Sequence, residues 1–465
     1  MTGRSSISKF ILSLGLLALS PAARAHGFGQ RFDLPLPLWL WLTGAGATLV
    51  LTFAMLAVFG KEPPSGRFSL PLPGLPQVAG LLRLLGVVAF ALTAWAGLAG
   101  TQDPYRNLAV TMIWVVWWVG FAFVCALIGD LWALASPLRT LYAWAERSYA
   151  TLSGGRTLSR NWRYPERLAA WPAVVLFFAF AWAELVWRGK DVPAQLAGAM
   201  LAYAALAWLG MFLFGRERWL ERGEAFAVAF GVLGRFAPLA ARPRGGPYLR
   251  APGAGLLSEV PVSASMMAFV LLMLATVTFD GFKETPLHQQ LHTALLTSKA
   301  VGPLLFSLSE LGLEESQLID TALLAAFPLG FLAIYALVCP APRAFVLTLV
   351  PIAVAYHLAH YFSLLVTAGQ FVIPLASDPL GRGWDLFGTA GYQVDLGIVS
   401  PYVFWYGAVA LILAGHVIAV YLAHVEALRR FADRRAALAS QVPMVALMVA
   451  YTSLSLWILA QPVVG

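Results

Sequence analysis

Charge is scarce in this chain of 465 residues. Asp, Glu, Lys and Arg make up 12% of it and hydrophobic residues 60%, against roughly 25% charged in soluble domains. So few charges cannot clothe a soluble fold of this length, which excludes that class. Cysteine is scarcer still: Cys125 and Cys339 are the only two, and both lie in or at the ends of apolar runs. That excludes a disulfide framework and leaves a thiolate metal site without its paired spacing. The two read as small buried hydrophobes. A Gly-rich phosphate loop, GxSxG, HExxH and CxxCH are also missing. The net charge of +8 does not mark a nucleic-acid surface, because its cations are spread over the segments between apolar runs; no nucleic-acid partner is expected.

What the chain has in abundance is apolar segments of about 20 residues, each able to cross roughly 30 Å of hydrocarbon. The expected fold is all-α, a polytopic transmembrane bundle. Residues 1–25 read as a cleaved signal peptide: Arg4 and Lys9 precede the short apolar run 10–19, and Ala23 and Ala25 occupy the small-residue positions of a cleavage site. Residues 26–465 then form one membrane domain. About ten spans follow, near 36–59, 77–100, 108–131, 167–187, 195–215, 263–282, 321–339, 345–372, 401–425 and 442–462. With His26 outside, arginine gathers in the loops assigned to the inside (Arg139, Arg147, Arg156, Arg216, Arg343 and Arg430 among them) and is sparse outside. This is the positive-inside bias, and it puts both mature termini outside. Segment 216–244, mixing arginines with Trp219, Phe226, Phe230 and Phe236, reads as an amphipathic helix on the inner surface. The longest outer loops are 283–320 and 373–400. Glu184 and Asp130, at span ends, read as interfacial caps or helix-pairing groups.

An ionisable side chain inside such a run costs about 2.5 kcal/mol or more when charged, and marks a functional candidate. His357 and His360 are at i and i+3, on one face of span eight. His416 in span nine lies at a similar depth, about 20 Å from the basic flank, while His424 lies nearer the inner surface. Imidazole binds Zn, Cu and Fe without needing a net charge. His357, His360 and His416 would therefore suit a divalent transition metal, zinc or copper, with an open position for water or substrate. One histidine from each span could instead hold a haem iron axially, or the three could line a proton or substrate path, or be buried polar groups bonded to neighbouring helices.

The outer face offers a second set. After cleavage the amine and imidazole of His26 form a chelate suited to copper, and His288 and His292, at i and i+4 behind Pro286, could complete it. Asp280 ends span six, and Asp378 and Asp385 punctuate the Gly- and Trp-containing loop 377–385, lining a substrate entrance or capping turns.

The segments His26–Gln30 through Leu40, Phe279–Pro286, Tyr356–Tyr361, Ser377–Ala390 and Gly415–His424 together resemble a family of bacterial polytopic membrane proteins commonly labelled fenitrothion hydrolase. The resemblance implies hydrolysis of an organophosphorus triester at the cytoplasmic (inner) membrane, as one component among partner membrane subunits. It fits a small lipophilic substrate that partitions into the bilayer, and a metal that lowers the pKa of bound water. In that reading Asp280 or Asp385 is catalytic, orienting or deprotonating the water. Two rivals stay open. One is a transporter or metal-handling permease, to which Pro328, Gly330 and Pro351 would give broken helices; the other is a haem-bearing redox subunit.

Overall fold

The computed structural model describes residues 24–27, 30–33, 36–60, 69–74, 76–242, 246–257 and 260–461. The signal-peptide reading therefore falls almost wholly outside the described residues. His26 lies in a short hairpin, β1 (Arg24–Gly27) with β2 (Gln30–Asp33), whose side chains are likewise outside them.

The rest is helical. In chain order the helices are α1 Leu38–Phe59, α2 Pro76–Ala99, α3 Leu108–Leu127, α4 Pro137–Leu152, α5 Trp171–Leu185, α6 Pro193–Phe214, α7 Arg216–Arg222, α8 Ala225–Phe236, α9 Ala264–Lys283, α10 Pro286–Thr297, α11 Gly302–Ser309, α12 Glu315–Val338, α13 Pro342–Ser377, α14 Pro401–Arg430 and α15 Arg434–Leu459. Among the described residues nine are long and apolar enough to cross a membrane: α1, α2, α3, α6, α9, α12, α13, α14 and α15. The fourth expected span is the shorter α5, of 15 residues. A helix satisfies its own backbone, which hydrocarbon demands, so the chain is an all-α polytopic membrane protein.

Polar residues at helix starts set the boundaries. The Asn107 side chain accepts the Ala109 N–H, and its amide donates to the carbonyls of Ala96 (2.8 Å) and Thr101 (2.7 Å), so one buried residue starts α3 and ties it to α2. Ser263, Thr285, Ser400 and Asp433 cap α9, α10, α14 and α15 in the same way, with proline next at α10 and α14. α9 is the most enclosed span. α13 and α14 lie side by side, and Gly415 makes their approach possible: a Cβ there would sit 2.6 Å from the Pro351 carbonyl oxygen.

The segment read as a surface-lying helix over 216–244 is instead partly interior. α8 buries Phe226, Val228, Phe230, Val232 and Leu233, with Phe226 edge-on to Trp117 at 4.5 Å and to Phe180 at 4.8 Å. A helix that is apolar nearly all round is covered by neighbours, and here its arginine lies near the end. Glu224 caps it, fully buried, taking the N–H groups of Phe226 and Ala227 and the Tyr203 hydroxyl. Arg250 caps the far end through the carbonyls of Gly234 (2.7 Å) and Ala237 (3.1 Å), from a small antiparallel sheet of β3 (Ser69–Pro71), β5 (Gly246–Arg250) and β4 (Leu239–Arg242) in that order.

The two long loops are built, not slack. Segment 283–320 holds α10, α11 and the start of α12. In 377–388 the Asp378 carboxylate takes the N–H groups of Arg382 and Gly383. Gly381 has φ +66°, and a Cβ there would sit 2.6 Å from the Arg106 carbonyl oxygen, so glycine is needed.

Candidate metal centre

The three intramembrane histidines expected to share a metal do not converge. Residues at i and i+3 differ by about 60° around a helix, and in α13 that is enough to send the rings apart. His360 turns to α9, where its Nε2 is 2.9 Å from Asp280 Oδ2; the Tyr361 hydroxyl donates to the same oxygen at 2.6 Å. His357 lies edge-on to Trp118 and Phe123, at ring distances of 5.9 and 5.7 Å. His416 is held by its own helix, Nδ1 at 2.8 Å from the Ile412 carbonyl oxygen. His424 pairs with Gln441. Asp280 is thus a partner of His360 and Tyr361 rather than of a metal, and the exposed Asp385 accepts the Ala390 N–H within its own loop, the turn-forming alternative.

Among the described residues, one set of His, Cys, Asp and Glu side chains brings its ligand atoms within 4.8 Å of one another: His288, His292 and Asp320. Thr285 and Pro286 start α10 so that His288 and His292 fall one turn apart on one face, their rings 4.4 Å apart. α12 begins beside them and supplies Asp320 in its second turn. Both imidazoles direct Nε2 at one carboxylate oxygen, His288 at 2.9 Å and His292 at 2.8 Å from Oδ1. The other oxygen faces the Lys283 ammonium at 3.1 Å. Lys283 also donates to the Leu185 carbonyl at the end of α5, an acceptor the helix itself leaves unpaired. Phe282 stands edge-on to His288 at 5.6 Å and packs on Phe327, an apolar wall beside the cluster.

The donors fit a metal ion. Two imidazole nitrogens and one carboxylate oxygen are a three-ligand set that leaves a tetrahedral ion one open position. Around an ion with bonds of about 2.1 Å, ligand atoms stand roughly 3.3 Å apart, so the observed separations need widen by only about half an ångström. The side chains are 10%, 17% and 12% exposed, which shields the set yet leaves it reachable. Lys283 opposes a cation, and its charge decides how tightly one is held.

His288 and His292 belong to the outer-face set read from the sequence; Asp320 takes the third place given there to His26. The signal for Asp320 was available, an acid in the first turns of an apolar helix, but its partners lie 28 and 32 residues earlier. A second buried polar group sits deeper, between α9, α13, α14 and α15. The Tyr451 hydroxyl meets Thr278 Oγ1 at 2.6 Å, His416 lies 6.0 Å from the Tyr451 ring, and Tyr356 Oη, His357 Nε2 and His416 Nε2 are buried without a partner.

No protein-family profile matches this chain, and neither a curated protein nor a solved structure matches it. Fold and site define the class by themselves: an integral, multi-pass helical membrane protein carrying a histidine–aspartate cluster able to hold a metal ion.

Proposed function

We propose that the protein binds zinc or copper through His288 Nε2, His292 Nε2 and Asp320 Oδ1, and that this centre serves hydrolysis of a small lipophilic organophosphorus triester. The observation that carries the reading is the convergence of two imidazole nitrogens on one carboxylate oxygen beside the Phe282–Phe327 wall. Such a metal lowers the pKa of a bound water and polarises a phosphoryl oxygen. The chain's residues supply the rest: Lys283 fixes the carboxylate, the phenylalanines keep one side dry, and Asp280, held by His360 and Tyr361 near the same end of α9, is the proton acceptor. We place the centre on the outer side of a bacterial cytoplasmic membrane, supported by the arginines at the opposite end of the bundle, and leave room for partner membrane subunits.

The test is metal content of the purified chain by mass spectrometry, compared across H288A, H292A, D320N and H416A. About one ion per chain is expected, lost in the first three variants and kept in the fourth. No ion, or equal content in all four, overturns the site. Release of nitrophenol from fenitrothion by metal-loaded membranes then tests the hydrolase. The buried atoms without a partner, Tyr356 Oη, His357 Nε2 and His416 Nε2, favour a second reading, a permease with a transit site in the bundle interior. It predicts metal uptake into liposomes, sensitive to H416A, with no nitrophenol release. A Soret band would point to the haem-bearing alternative.

A further inference from the structure

At the end of the bundle opposite Asp320, a cavity of about 320 Å³ is lined by Arg83 of α2, Arg139, Trp144 and Arg147 of α4, and Arg216 and Glu217 of α7. Its charges do not cancel. Arg216 pairs with Glu146 at 2.7 Å and Glu217 at 3.1 Å, and Arg139 pairs with Glu217. Arg83 and Arg147 have no carboxylate partner among the described residues. The position of Arg83 makes this consequential. It stands seven residues into a membrane-spanning helix that starts at Pro76, about 10 Å along its axis, and is itself exposed, on the helix face opposite Leu81 and Leu85. An arginine at that depth of a span needs an anion within reach, and the bilayer offers one chemistry there, the headgroup phosphate. A guanidinium fork matches phosphate oxygens bidentately. Trp144, 41% exposed at the cavity wall, is the residue type that settles at headgroup depth.

We infer that this cavity binds the phosphate diester of an anionic phospholipid from the adjacent leaflet, with Arg83 and Arg147 on the phosphate. Basic pockets between spans take acidic headgroups in this way. Soluble phosphate shares the chemistry, but the lipid is favoured because Arg83 lies about two turns inside a span, a depth that headgroup phosphate reaches.

The full chain, reconstituted in nanodiscs of phosphatidylcholine with and without phosphatidylglycerol, tests this. Thermal midpoint and native mass spectrometry of retained lipid are the readouts. The parent is expected to gain several degrees with phosphatidylglycerol and to retain it. In R83Q combined with R147Q, retention falls roughly tenfold, the worth of one lost charged hydrogen bond. Among the described residues neither arginine holds another side chain, so the double variant is expected to fold. R382Q, at the opposite end of the bundle, should retain lipid like the parent; an equal loss there would reduce the effect to bulk charge and overturn the site. Equal retention by parent and double variant also overturns it. So does inorganic phosphate that raises the midpoint in phosphatidylcholine discs as much as the lipid does, since the ligand would then be soluble.

Discussion

Replacing Lys283 by methionine separates a metal centre from a plain ion-pair network, because the two give opposite signs in one assay. The ammonium lies 3.1 Å from Asp320 Oδ2 and also closes the end of α5 at Leu185. Losing a partly buried ion pair and a helix-end hydrogen bond costs about 1–3 kcal/mol of stability in metal-free protein. Metal affinity responds the other way. A single and a double positive charge roughly 5 Å apart repel by about 7 kcal/mol at an effective dielectric of about 20. Lys283 and Asp320 are 21% and 12% exposed, so water and salt screen the pair. Even a discount to about 2 kcal/mol leaves affinity some thirtyfold tighter in the variant. Calorimetric titration with zinc reads the affinity, and a melt with and without metal reads the stability. K283M should melt lower than the parent when apo, and the difference should shrink or reverse at saturating zinc. A lower apo midpoint with unchanged or weaker zinc affinity would refute the metal reading and leave Asp320 as the acceptor of a structural network.

Other outcomes follow from the packing. G415A puts a Cβ 2.6 Å from a backbone oxygen and should lose about 1–3 kcal/mol, whereas G407A, on the same helix with nothing within 4 Å, should melt within a degree or so of the parent; equal midpoints for the two would refute the close crossing. N107A removes a cap and two cross-links and leaves the Thr101 carbonyl and the buried Ala109 N–H unpaired, about 2–4 kcal/mol by chemical denaturation; a loss below half a kilocalorie would refute it. Burial raises the Glu224 carboxyl above the ordinary glutamate value, against the lowering by Tyr203 and two backbone N–H groups. A raised acid stabilises the fold fully below its unfolded pKa, about 4.3, and loses that contribution as pH rises through the folded value. The midpoint of E224Q minus that of the parent should therefore climb from pH 4 to pH 7; a difference flat with pH would disprove the shift.

Much of this was legible before any coordinates. Hydrocarbon admits only a self-satisfied backbone, so apolar runs with few charges announce helices, and their ends are written in Asn107, Ser263, Thr285, Ser400 and Asp433. The half of the chain that holds the candidate cluster was legible too, because six of the seven histidines fall between His288 and His424. The reading of 216–244 did not show how much of α8 packs inward, because a pattern of arginines and phenylalanines is the same whether lipid or Trp117 and Phe180 meets the rings.

What the sequence determined by itself is therefore the class of protein and the two helices, α10 and α13, that carry paired histidines. Which histidines act together was decided only by tertiary structure. A rotation of 60° between His357 and His360 splits them between α9 and an aromatic pocket, and the Ile412 carbonyl claims His416, while the one-turn spacing of His288 and His292 keeps both on a single acid. That acid comes from another helix. The folding of 283–320 into α10, α11 and the start of α12 brings Asp320 to the histidines and Lys283 to Asp320, and no local pattern encodes a meeting of side chains that far apart in the chain.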